Sequence, residues 1–127
     1  METIDQVFSS TPTTRSISIE LTKESPETLE YLINSIKKWH FDRNLIDGST
    51  DKDQYLKLSQ EMGELSDSLC KKKCVADDIG DIIVVLINIA TRNNLSITEC
   101  LARAYNDIKD RRGRMVDGVF IKESDNG

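Results

Sequence analysis

The sequence predicts an all-α fold, a four-helix bundle with a short N-terminal extension and a C-terminal tail. Three observations lead to it. Apolar residues recur at three- and four-residue intervals through four stretches, the period of one helix face. Residues that cap helices, Ser25, Thr50 and Ser96, stand at the head of three of them. Outside the β-branched run at residues 79–90, strand-like character is confined to Ile17-Ser18-Ile19 and Val119-Phe120-Ile121, and the short connections between helical stretches favour a bundle.

Residues 1–24 are rich in Ser and Thr and read as an extension, partly disordered or pairing at an edge through Ile17 and Ile19. Ser25-Pro26-Glu27 is a helix start: Ser as cap, Pro where no amide is needed, an acid facing the dipole. Leu29, Leu32, Ile33, Ile36 and Trp39 then follow at helical spacing, giving a first helix to about Phe41. Asp47-Gly48 signals a turn, and Thr50 with Asp53 three residues on has the polar logic of a capping box. The rhythm of Tyr55, Leu58, Met62, Leu65 and Leu69 carries a second helix to the lysines Lys71, Lys72 and Lys73, whose charge suits a negative helix end.

Residues 79–90 are rich in β-branched side chains, and propensity alone favours a buried strand. Length, the acids Asp77 and Asp78 at the start, and the lack of a partner strand nearby favour a helix. Being apolar all round, it belongs at the centre of a bundle or in a subunit interface. Ser96-Ile97-Thr98-Glu99 is a full capping box, and Ile97, Leu101, Ala104, Tyr105 and Ile108 mark a fourth helix to about Arg114. The helical domain thus covers residues 25–115, and residues 116–127 form a tail with Val119-Phe120-Ile121 as a short strand.

The chain has 127 residues, enough for one domain with a core of its own. Seventeen basic against 22 acidic residues leave a net charge of −5, which argues against nucleic acid or an anionic membrane as partner; an anionic substrate needs a cation to approach. Cys70, Cys74 and Cys100 form no C-x-x-C, one histidine cannot complete a zinc site, and the reading is reduced thiols. With no apolar run of membrane-spanning length and no basic, apolar leader at the start, the expectation is a soluble, cytoplasmic protein.

The most informative feature is a set of four carboxylates, Glu61 and Glu64, then Asp78 and Asp81. Acids three residues apart point the same way on a helix. Here each pair borders an apolar stripe, where uncompensated charge is costly, and a hard divalent cation with oxygen ligands supplies the missing compensation. Spacing alone is weak, since Glu24/Glu27, Glu27/Glu30 and Asp107/Asp110 share it; position beside Leu58, Leu65, Ile82 and Val85 separates the four.

Lys57-Leu-Ser-Gln-Glu61-Met-Gly-Glu64-Leu, followed by Asp78-Ile-Gly-Asp81-Ile, resembles the E-x-x-E and E-x-x-D metal motifs of the MazG-like all-α nucleoside triphosphate pyrophosphohydrolases. The runs from Trp39-His40 through Asn44 to Ile46, and Asn106-x-x-Lys109-x-x-Arg112, are similar to that family too, over about residues 26–123. Asp78 departs from the usual glutamate; its shorter arm weakens or shifts one metal, with Asp77 next door as partial substitute.

The resemblance implies cleavage of a (d)NTP to (d)NMP and pyrophosphate with Mg²⁺ or Mn²⁺ held by Glu61, Glu64, Asp78 and Asp81. Glu64, with Glu61, orients or deprotonates the attacking water. Lys109 and Arg112, one helical step apart, face phosphate together with Asn106, the alternative being an exposed basic face. Lys57 is either a further phosphate contact or an i,i+4 ion-pair partner of Glu61. Trp39 stacks on the base and His40 or Asn44 reads its edge, unless Trp39 is core. Cys70, Cys74 and Met62 are packing residues. A homodimer or homotetramer is expected, both from residues 79–90 and from the resemblance. The competing class is a catalytically weak or inactive helical interaction module, and within the enzymes, relatives acting on dUTP or phosphoribosyl-ATP.

Overall fold

Residues 25–123 are described by a computed structural model; the expected N-terminal extension and its strand at Ile17 to Ile19 lie outside them. The order is α1 (Leu29–Asp42), α2 (Asp51–Cys70), α3 (Ala76–Arg92), α4 (Ile97–Ile108), β1 (Gly113–Val116) and β2 (Val119–Lys122). The described residues are therefore mostly helical, with four helices and one two-stranded antiparallel sheet. Close packing divides it between Lys38 and Trp39.

The first helix starts later than its leading proline suggests. Thr28, not Ser25, is the cap: its Oγ1 accepts from the Tyr31 amide at 3.1 Å, while Ser25 Oγ accepts from Glu27 N at 3.2 Å in the turn before. The boxes at α2 and α4 form as expected, with Thr50 and Asp53 exchanging bonds of 3.0 and 3.1 Å, and Ser96 and Glu99 bonds of 3.0 and 3.3 Å. Three helices end alike. Leu45 N donates to His40 O, Lys73 N to Ser68 O and Leu95 N to Ala90 O, each over a residue in the left-handed region, Asn44, Lys72 and Asn94.

The segment over residues 79–90 is helical, within α3, as its length and leading acids imply. α2 packs against α3. Asp51 at the start of α2 meets Arg92 at the end of α3, so the two run antiparallel. Among the described residues the buried apolar side chains are Ile46, Val85, Ile87 and Ala90, and the polar His40, Gln54, Glu61 and Asn88 are buried with them. This corrects the expected face of α2: Gln54 and Glu61 turn inward, whereas Tyr55, Met62 and Leu69 are exposed. Within the single chain α3 buries one side and leaves Ile79, Ile83 and Leu86 exposed. Gly63 and Gly80 sit inside α2 and α3 with no atom near the place where a side chain would begin.

The fourth helix stops at Ile108, not near Arg114. Val119-Phe120-Ile121 is a strand as expected, but its partner is Gly113–Val116, with Val116 opposite Val119. The two-residue connection Asp117-Gly118 has positive φ at both positions, 50° and 82°, the hairpin turn whose twist matches its strands and for which glycine is suited. That pairing takes residues 113–116 away from the helix.

Candidate metal centre

α2 and α3 bring three of the four motif acids together: Glu61, Glu64 and Asp81 each place a carboxylate oxygen within 4.8 Å of the other two. Glu61 is the buried member, 6% exposed, because its face of α2 is the one packed on α3. Glu64, one turn later, is exposed, and Asp81 is half-buried. Lys57 enters from one turn earlier, its Nζ 3.1 Å from Glu61 Oε2. The second oxygen, Glu61 Oε1, is buried and has no hydrogen-bond partner. A buried carboxylate oxygen without a partner is unfavourable on its own, and oxygen ligands of this kind are what a hard divalent cation takes.

The acids act on one another. The charge of Glu61, then desolvation, hold the Glu64 carboxyl above the ordinary carboxylate range, with a side-chain hydrogen bond to Glu61 and the charge of Asp78 adding and Lys57 opposing. Desolvation, then Asp77, Glu61 and Asp78 raise Asp81 in the same way, Lys57 again opposing. Asp78 thus stands outside the close triad and contributes charge, and Asp77, one turn before Asp81, outweighs it there.

A pH dependence follows. Glu64 and Asp81 bind protons more tightly folded than unfolded, so in EDTA their contribution is fully present below the unfolded carboxylate values near pH 4. It is lost as pH rises through the elevated folded values. Thermal melts in EDTA should show wild type and Glu64→Gln converging near pH 4, with Glu64→Gln gaining a growing advantage towards neutrality. A difference constant with pH would contradict the mutual repulsion of these groups.

The remaining motif residues lie apart from this cluster in their interactions. Among the described residues no hydrogen bond or ion pair joins Trp39, His40, Asn44, Asn106, Lys109 or Arg112 to the four acids. His40, expected to read a base edge, is instead a structural residue. It is 3% exposed, its Nε2–H donates to Val84 O at 3.0 Å, and its Nδ1 accepts from Asn88 Nδ2 at 3.2 Å, so neither ring nitrogen is available. Asn88, fully buried, donates its other amide hydrogen to Leu45 O at 3.0 Å. Trp39 is 44% exposed, with the Arg43 guanidinium 4.4 Å from its ring centre, so one face is already covered. Asn44 has φ 58° at the end of α1, its side chain against Gly48. Asn106 is exposed on α4. Lys109 caps that helix and Arg112 lies beyond it, so the expected one-step helical spacing of Lys109 and Arg112 does not exist.

Two further residues brace the helices that carry the site. Asn88 is the one polar break in its apolar run, a readable signal of a buried hydrogen-bonded position. Arg92 donates from Nε to Asp51 Oδ1 at 2.9 Å and from Nη1 to Ile46 O, fixing the start of α2 to the end of α3.

No protein-family profile matches the chain, and no solved structure matches it. A stretch of 69 residues is 41% identical to an uncharacterized 18.2 kDa protein from the rep-hol intergenic region of Haemophilus phage HP1 (strain HP1c1). The match covers 53% of this chain and 42% of that protein, so the chain spans less than half of the relative's length. No helix among the described residues is long and apolar enough to cross a membrane.

Proposed function

We propose that the chain is a divalent-cation-dependent nucleoside triphosphate pyrophosphohydrolase, built as a four-helix bundle of the all-α NTP pyrophosphatase type. The observation that carries this reading is the convergence of Glu61, Glu64 and Asp81 around a buried carboxylate oxygen without a protein partner. The order of the surrounding motifs, and their resemblance to the MazG-like enzymes, supply the reaction.

Glu61, Glu64 and Asp81 hold Mg²⁺ or Mn²⁺, with Asp78 adding negative charge beside them. A bound cation neutralises the polyphosphate and acidifies a water. Glu64 is the exposed member of the triad, open to an attacking water, which suits a base. It takes the proton as the water oxygen bonds to the α-phosphorus. The bond from that phosphorus to the bridging oxygen breaks, and the β- and γ-phosphates leave together as pyrophosphate. Lys109, Arg112 and Asn106 are the phosphate contacts of this reading and Trp39 its base contact.

The active form is a homodimer or homotetramer. Exposed stripes at helical spacing, Ile79/Ile83/Leu86 on α3 and Leu101/Tyr105/Ile108 on α4, support this. So does an interior that is only half apolar. The position of Asp78 outside the close triad keeps a second reading in play, a bundle that assembles but turns over weakly or not at all. One assay decides: with Mg²⁺ and a nucleotide panel, the enzyme releases pyrophosphate and a monophosphate. Stepwise orthophosphate rules out attack at the α-phosphorus, and no product from any nucleotide favours the inactive module.

A further inference from the structure

We propose that Lys57 is the resident counter-ion of the carboxylate cluster, neutralising Glu61 when no metal is bound and giving up that oxygen when a divalent cation enters. The proposal rests on the metal-centre reading above and adds to it how the unliganded site tolerates its own charge. Its basis is an unequal ion pair. The Glu61 side chain is 8% exposed and the Lys57 side chain 51% exposed, at an Nζ to Oε2 distance of 3.1 Å. The acid is fixed in the interior while the ammonium reaches in from solvent, so the lysine can withdraw into water and the glutamate cannot.

Helix stabilisation does not account for the pair. Lys N-terminal to Glu at this spacing is the weaker orientation, and pairs on a helix surface contribute only a few tenths of a kcal/mol. What distinguishes it is the burial of one partner, since a buried charge left uncompensated is strongly unfavourable. Lys57 engages one oxygen of Glu61 and leaves Oε1 without a partner, a ligand position beside a displaceable cation. A lysine, a compact charge on a flexible stem, suits this task better than a forked guanidinium.

The test is Mn²⁺ binding by isothermal titration, with melting in EDTA, for wild type, Lys57→Gln, Lys57→Arg and Glu61→Gln. Lys57→Gln should melt several degrees lower in EDTA and bind Mn²⁺ about three- to tenfold more tightly, because no tethered cation competes. Lys57→Arg should restore the EDTA melting point. Equal or weaker Mn²⁺ binding by Lys57→Gln, with wild type binding normally, overturns the counter-ion role and leaves the metal centre standing. Absence of Mn²⁺ binding by wild type and Lys57→Gln alike overturns the metal centre itself.

Discussion

Glu61→Gln, Glu64→Gln and Asp81→Asn should each lower Mg²⁺-dependent pyrophosphate release by about a thousandfold or more, a barrier change of about 4 kcal/mol. In EDTA the same variants should melt at or above the wild-type temperature. The two halves have one cause: the three carboxylates lie within 4.8 Å of one another, so each is needed by a cation and each repels the others without one. Because the acids act as a unit, the double variant Glu64→Gln/Asp81→Asn should be little worse than either single change. Loss of stability in EDTA for all three would identify these acids as structural and remove the basis of the site.

The second large effect is expected at His40. His40→Ala removes a ring whose two nitrogens bond α3 at Val84 and Asn88, and Asn88 in turn holds Leu45 in the turn after α1. Emptying a core site of aromatic size costs about 3–5 kcal/mol. The amide left facing it loses an acceptor, which adds to that loss. Melting should fall by about 10 °C or more for a domain of this size. A normal melting point with an altered ranking among nucleotides would return His40 to the substrate.

Much of the secondary structure was legible because it is set locally. The boxes at Thr50 and Ser96 and the acids leading into α3 are signals that the backbone reads within one turn, and the structure carries them out. The misjudged ends have a common physical origin in pairing and packing beyond the local window. The expected fourth helix runs on to about Arg114, yet the Asp117-Gly118 turn gives residues 113–116 a strand partner, and that is a competing signal the helical rhythm masked. Glu61, Glu64 and Asp81 were found because charge beside an apolar stripe is visible in one dimension. Which of Tyr55, Met62, Gln54 and Glu61 face inward was not, since side-chain period defines a face only to within one residue and polar partners on α3 decide between them. His40 looked like a ligand because nothing near it in sequence announces the buried Asn88 that occupies it.

Gly63 and Gly80 stand at matching places, each directly before the second acid of its motif pair and surrounded by open space. A glycine inside a helix weakens it by about 0.5–1 kcal/mol relative to alanine, and neither is excused by a neighbour that needs the room. The two helices are therefore most pliable between their own paired acids, Glu61 from Glu64 and Asp78 from Asp81. The frame that carries the carboxylates has compliance built into it, so on the proposed metal-centre reading their spacing can follow a bound ion rather than dictate it.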